Sequence, residues 1–415
     1  MHTVAPLLPR VFLPFAAGYF LSFLYRAVNA VIAPELLRDL SLDPGSLGLL
    51  TATYFIAFAS FQLPLGVLLD RYGPRRVEAM LLLFAAAGAF CFARAHSLPL
   101  LIAGRALIGF GVSVCLMAAF KAYTQWFARE RWPLVNGFQM AAGGLGALAA
   151  ASPVQMLLTW TDWRGIFFGL ALVTLAVAAL LFLVVPDKAA DGPAEPFSTQ
   201  VQGIGQVFSS ARFWRVAPLT AVSQAAFFAI QGLWAAPWLK DAAGLDRTAT
   251  AQTLSLVAVA MAAGFICLGA LAARLQHKGF ATVHSAAAGM VLFLLVQTAI
   301  LLAPPSWTLP LWLGFGFFGT AGTIAYASLS QSFPVQLAGR VNTALNLLVF
   351  VASFVAQWAI GLIVGLWPGT AAGGLSPAGL RAGFLLMIAC QVIGLLWFIL
   401  AGRIGQTGRQ EHPAP

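Results

Sequence analysis

Charge is what this chain has least of. Of its 415 residues only 9% are Asp, Glu, Lys or Arg, against 60% hydrophobic, and the mean hydropathy is +0.87. A soluble domain carries roughly 25% charged residues, so this chain could not cover a water-facing surface. Cysteine is also scarce. Cys91, Cys115, Cys267 and Cys390 lie far apart inside apolar runs, which excludes a paired-cysteine metal site and reads as small buried hydrophobes. The five histidines are scattered, and no Ser/His/Asp grouping accompanies them. No Gly-Lys-Ser/Thr phosphate loop occurs, which argues against ATP-driven work within this chain. The sequence therefore calls for no catalytic residue, metal or cofactor.

Long apolar runs are what it has in abundance. A membrane-spanning helix needs about 20 mostly apolar residues. Breaks at charged and Pro/Gly-rich stretches predict twelve: 11–36, 46–69, 78–95, 99–123, 133–157, 164–186, 214–239, 249–273, 281–303, 308–332, 340–366 and 379–402. The longest polar stretch, 187–213, holds Asp187, Lys188, Asp191 and Glu195 with Pro193 and Pro196, and reads as a linker between six spans and six. The expected organisation is a bundle over 1–186, a linker over 187–213, a second bundle over 214–402 and a tail over 403–415. Arg10 precedes the first run without a small-residue cleavage site, so that run reads as a retained span.

The net charge of +10 is explained by membrane orientation rather than by nucleic acid, because Lys and Arg collect in cytoplasmic loops. With the N-terminus inside, fourteen of the 23 Lys and Arg fall on the cytoplasmic side and six on the other, the remaining three lying within spans. Both termini are thus expected in the cytoplasm, with the chain multi-pass in the inner membrane and in contact with lipid.

The two halves echo each other. Gly66-Val-Leu-Leu-Asp70-Arg71-Tyr-Gly73-Pro-Arg75-Arg76 follows the second span, and Gly269-Ala-Leu-Ala-Ala-Arg274-Leu-Gln-His-Lys278 follows the eighth. The glycine, first arginine and later base keep one offset. Gly66 permits close helix approach, and Asp70 at a helix end can pair with an arginine or cap a neighbouring helix. Charge alone would account for Arg71, Arg75 and Arg76, but not for Gly66, Asp70 and Gly73 at this spacing.

The Gly66–Arg76 loop closely resembles the signature loop of the major facilitator superfamily, with every signature position filled. Arg105 with Gly109 and Gly111 resembles that family's fourth-span arginine stretch, and Gly143, Gly144, Gly146 and Pro153 resemble a glycine-rich motif of its exporters. The resemblance implies an all-α membrane fold of two pseudo-symmetric six-helix bundles, alternating access, a gating role for the loop and Arg105, and a monomer. Tyr25-Arg26-Ala-Val-Asn29 resembles the first span of the family's organic-anion branch, which carries an acid where Tyr25 stands here.

Polar residues inside the spans outline a candidate cavity. Tyr19, Ser22, Arg26 and Asn29 share one helical face. A charge at this depth costs at least roughly 2.5–3.5 kcal/mol, so Arg26 faces the bundle interior, either to bind an anion or to pair with another helix. Lys121 either faces the cavity or reaches the interface. Tyr54 and Gln62 in the second span, Asn136 and Gln139 in the fifth, Gln224, Gln231 and Trp234 in the seventh, and Asn342, Asn346, Ser353 and Gln357 in the eleventh could orient a solute or bond helix to helix. Every acid falls in a loop or, like Glu35 and Glu78, at a span end. Glu35, and less so His284, is the available proton relay. Cations without embedded acids favour a small anionic solute, carried with a proton or other ion. The other readings are an efflux carrier for amphipathic or neutral compounds and a non-transporting membrane sensor.

Overall fold

A computed structural model describes residues 8–128, 132–187, 197–334, 337–370 and 374–410, and its described elements are all helical. Lipid offers backbone groups no partner, so helices that bond internally are the economical way across. The first half of the chain comprises α1 (Leu13–Asp39); α2 (Pro44–Ser60) stacked on α3 (Gln62–Tyr72); α4 (Pro74–Ala93); α5 (Leu98–Val112) with α6 (Cys115–Trp126); α7 (Trp132–Ala149) with short α8 (Ser152–Leu157); and α9 (Trp163–Val184). After α10 (Phe197–Phe208), the second half comprises α11 (Ala211–Ala229), prolonged through α12 (Ala235–Pro237) to Ala242; α13 (Arg247–His277); α14 (Thr282–Leu302); α15 (Thr308–Gly319) with α16 (Thr323–Gln331); α17 (Ala338–Val364); and α18 (Pro377–Gln410). The face where α1 starts and α18 ends is called near, the opposite one far.

Eleven described stretches are long and apolar enough to span a bilayer. The expected second span is present as α2 and α3, separated by a turn at Phe61. Pro64 explains the break: it has no N–H to offer the Ser60 carbonyl four residues back. The stretch 187–213, read as a plain linker, contains the helix α10, whose Ile204 and Val207 are buried and which packs against α17 and α3.

The outer surface is apolar, with Leu183, Leu302, Leu366 and Ile393 among its most exposed side chains. Exposed tryptophans mark both ends, Trp160, Trp307 and Trp367 on the far side and Trp214 and Trp397 on the near side, as expected at membrane–water boundaries. Far-side loops start helices with acids. Asp43, Asp162 and Asp246 accept from the backbone N–H of Ser46, Gly165 and Ala249 at 3.0, 2.8 and 2.7 Å, satisfying donors that a helix start leaves free. The Ser46 hydroxyl holds the Asp43 carboxyl below its usual range.

Small residues set how closely the helices cross. A Cβ at Gly88 of α4 would stand 2.7 Å from the Gly104 carbonyl oxygen of α5, and one at Gly104 would stand 2.8 Å from that of Gly88. Gly104→Val must part these helices. Overpacking of this kind costs about 1–3 kcal/mol, and a lowered unfolding temperature in detergent is the expected result; an unchanged one would contradict this packing. In α7, Gly143 lies against the Tyr19 and Phe23 rings and Gly144 against Ala262 of α13, so α7 touches both α1 and the second half.

Candidate functional site

Arg26 stands where the two halves meet. It is 5% exposed and buried within α1. Its guanidinium carbon lies 4.5 Å from the ring centre of Phe23 and 6.0 Å from that of Phe58, both in the first half. Phe228 and Phe350 of the second half stand at 4.9 and 5.5 Å. Among the described residues no carboxylate forms an ion pair with Arg26, and its Nε has no hydrogen-bond partner. Ring faces attract a cation by about 0.5–2 kcal/mol each, enough to hold the group in place without neutralising it. A desolvated guanidinium with spare donors is a receptor for an anion.

Phe58 stacks on Phe350 at 4.1 Å, which joins the halves beside Arg26. Nearer the near face Asn346 Nδ2 donates to Gln62 Oε1 at 2.9 Å, and the Tyr326 hydroxyl donates to Asn346 Oδ1 at 3.1 Å. Toward the far face Gly361 of α17 meets Gly45 and Gly48 of α2. The hydroxyls of Ser152 and Ser255 lie 2.7 Å apart. Arg247 of α13 pairs with Glu35 of α1 and donates to Gln155 Oε1 at 2.8 Å. This pair lines a far-side cavity of about 760 Å³, together with charged Arg38, Lys240 and Asp241. It reaches inward to Ala30 and Val31, one turn along α1 from Arg26.

The other sequence candidates divide. Tyr54 and Asn29 lie near the arginine's face of α1: Tyr54 donates to the Ser22 carbonyl at 3.2 Å, and Asn29 Nδ2 donates to Thr51 at 3.1 Å while its Oδ1 has no partner. Tyr19 donates to Met140 sulfur at 3.7 Å. Gln139 is occupied in the first half, accepting from Tyr123 at 2.6 Å and donating to the Phe15 carbonyl at 3.2 Å. Gln224 donates to the Gly319 carbonyl at 3.2 Å. Trp234 donates to the Gln357 carbonyl at 3.3 Å, whereas the buried Gln357 side-chain amide is unpartnered. Gln231 is half-buried in a π-turn over Ile230–Trp234, and Lys121 is half-buried in α6.

Arg105 is fully buried, donates to the Tyr25 carbonyl at 2.9 Å and lies over the Tyr54 ring. It pins α1 to α5 within the first half. In the signature loop, Gly66 lies in α3 and Gly73 turns the chain at φ +78°. Arg71 stacks on Tyr72, Arg75 donates to the Phe182 carbonyl at 3.0 Å, and Arg76 pairs with Asp187. The Arg75 and Arg76 contacts tie α4 to the end of α9. The Asp70 side chain lies outside the described residues. His284 is exposed at the start of α14. Glu78, expected at a span end, is fully buried.

Sequence reasoning missed the rings around Arg26. The signal was present: Phe23 precedes Arg26 by three residues, Phe58 stands four from Tyr54 and Gln62, Phe228 stands four from Gln224, and Phe350 stands four from Asn346. Each shares a helix face with a polar residue already singled out.

Residues 15–357 match the profile of the Major Facilitator Superfamily. The chain belongs to this family. It is therefore a multi-pass secondary transporter and not an enzyme. It is 24% identical over 371 residues to a probable sulfoacetate transporter of Cupriavidus necator, covering 83% of this chain and 85% of that one. It is 21% identical over 367 residues to a probable L-galactonate transporter of Escherichia coli K12, covering 83% and 80%. The fold matches a bacterial homologue of the human lysosomal transporter Spinster, with a TM-score of 0.78, 18% identity and 98% of each chain covered. It also matches a nucleoside transporter at a TM-score of 0.76, with 11% identity over 94% of this chain and 99% of that one.

Proposed function

We propose that this Major Facilitator Superfamily transporter carries a small anionic solute, a carboxylate or oxyanion, with Arg26 as its central ligand. The carrying observation is a guanidinium set among four rings from both halves with no carboxylate paired to it among the described residues. Relatives named for sulfoacetate, L-galactonate, hexuronate and nitrate support the same class. Asn29 and Tyr54 beside it, and Asn346 and Gln357 across the seam, would orient the solute. The near face is assigned to the cytoplasm from the excess of Lys and Arg in its loops, with both termini there and the chain in the inner membrane. Bundles 1–186 and 214–402 rock about the seam, so Arg26 is exposed to one side at a time.

The Glu35–Arg247 pair then serves as a latch on the outer side rather than as a proton relay. The Arg247 side chain is 53% exposed and that of Glu35 12%, and such a pair contributes about 0.2–1 kcal/mol. Arg247→Ala should therefore raise the outward-open population by up to about fivefold. Faster thiol labelling of a Leu254→Cys reporter in the outer cavity would register it; slower labelling would contradict the latch. The substrate class itself is tested by uptake into proteoliposomes of sulfoacetate, L-galactonate and nitrate against amphipathic cations. Uptake of cations alone would favour the efflux reading.

A further inference from the structure

Among the described residues, one fully buried acid is not used by the anion site. Glu78 lies in the second turn of α4, yet its carboxyl points into the protein, where it fills the space left by Gly18 of α1 and faces Cys115 of α6. Cys115 opens α6 and Gly18 lies in the second turn of α1, so the carboxyl is enclosed by the helix bundle. Glu78 is fully buried, and neither of its oxygens has a nitrogen or oxygen hydrogen-bond donor. It forms no ion pair among the described residues.

Among the described residues, no charged side chain of the elements around it forms an ion pair with it. α6 presents the Cys115 thiol, carries its one charged residue, Lys121, nearly two turns further along, and places the Tyr123 hydroxyl further off, committed to Gln139. Arg105, the one charged residue of α5, is engaged with Tyr25, and Arg164, the one charged residue of α9, sits at the far end. α3 carries Asp70 and Arg71 in its last turn, with Arg71 exposed. α1 offers the bare backbone of Gly18 and, next to it, Tyr19, whose hydroxyl donates to Met140 sulfur. A carboxylate buried with only a thiol beside it, and with no N–H or O–H donor and no paired cation, is costly, so this pocket favours the neutral acid.

We propose that Glu78 is the proton-binding site that couples anion movement to proton movement. With α1 seated on it at Gly18, the carboxyl carries a proton. When α1 withdraws, water enters, the O–H bond breaks, the proton leaves to water and the carboxylate remains solvated. Because α1 also carries Arg26, eight residues along the same helix, seating α1 links proton occupancy to the position of the anion ligand. This inference rests on the anion reading for its cargo, but proton occupancy can be measured without any cargo.

Two measurements on the full chain test it. Infrared difference spectra between wild type and Glu78→Gln at neutral pH should show the C=O stretch of a buried protonated carboxylic acid lost in the variant; an ionised carboxylate signal instead would overturn the proposal. In proteoliposomes, a gradient of one pH unit should drive about tenfold accumulation of sulfoacetate, L-galactonate or nitrate by wild type. Glu78→Gln, which mimics the neutral acid in shape, should lose that accumulation while the anion still raises its unfolding temperature. Accumulation retained in Glu78→Gln, or absent from wild type that binds the anion, would overturn the coupling role. Failure of every anion to bind wild type while the infrared band is present would sink the anion reading and leave the proton site standing.

Discussion

Replacing Arg26 with alanine is expected to abolish anion uptake in proteoliposomes. Among the described residues no carboxylate pairs with the guanidinium, and the four rings around it can place an anion but cannot neutralise one. Removing one partner of a buried, hydrogen-bonded charge pair costs about 2–5 kcal/mol, which weakens binding roughly 30-fold or more. Arg26→Lys keeps the charge but loses the planar fork that grips two oxygens, so it should retain a fraction of the rate. The Arg26→Ala protein should still fold, because the change removes a buried charge without orphaning a carboxylate. A variant that folds and transports at the wild-type rate would remove Arg26 from the site.

The second large effect is expected at Gly361. A Cβ there would lie 2.5 Å from the Pro44 carbonyl oxygen and 3.2 Å from the Gly48 Cα. Both obstacles are backbone, and both belong to the opposite half of the chain. Gly361→Val therefore cannot close the far face as described. The clash, about 1–3 kcal/mol, is relieved once α2 and α17 part, so it shifts the equilibrium toward a far-open form by roughly 5- to 150-fold. Spin labels on Trp160→Cys and Trp307→Cys, in a background without the four native cysteines, would report a longer distance, and turnover would fall. An unchanged distance with a lowered unfolding temperature would mean that Gly361 serves packing alone.

Much of the architecture was legible because lipid makes the rule simple. A run of apolar residues must span, and a charged break must not. The break in the second span was also written in the sequence, at Pro64, but a hydropathy reading passes over it because Phe61 and its neighbours stay apolar. α10 was hidden for the opposite reason: its flanks are polar, and its ordered face depends on burying Ile204 and Val207 in the protein.

The site was legible in its charge and illegible in its surroundings. Arg26 stood out because a mid-span cation has few uses. Its rings did not, because a phenylalanine in a membrane helix is unremarkable until the partner helix is known. Arg105 and Gln139 show the converse. Both are polar, embedded and on plausible faces, yet their bonds run to Tyr25, Phe15 and Tyr123 within the first half. Tyr25 is similar: it bonds Thr174 of α9 at 2.8 Å, facing away from the Phe228 side of α1 that holds Arg26. Glu78 was misjudged because its position in the chain marks a span end, while its side chain reaches inward through the gap at Gly18. Sequence locates a Cα; only packing locates a carboxyl.

The most direct test of anion carriage at Arg26 is a thermal-shift screen of purified wild type and Arg26→Ala against sulfoacetate, L-galactonate, a hexuronate, nitrate and amphipathic cations. A ligand at a hundred times its Kd stabilises the folded state by about 2.7 kcal/mol, enough to raise the unfolding temperature measurably. At least one anion should stabilise wild type, and the same anion should leave Arg26→Ala unmoved. Stabilisation by cations alone, or by an anion equally in both proteins, would contradict an anion site at Arg26.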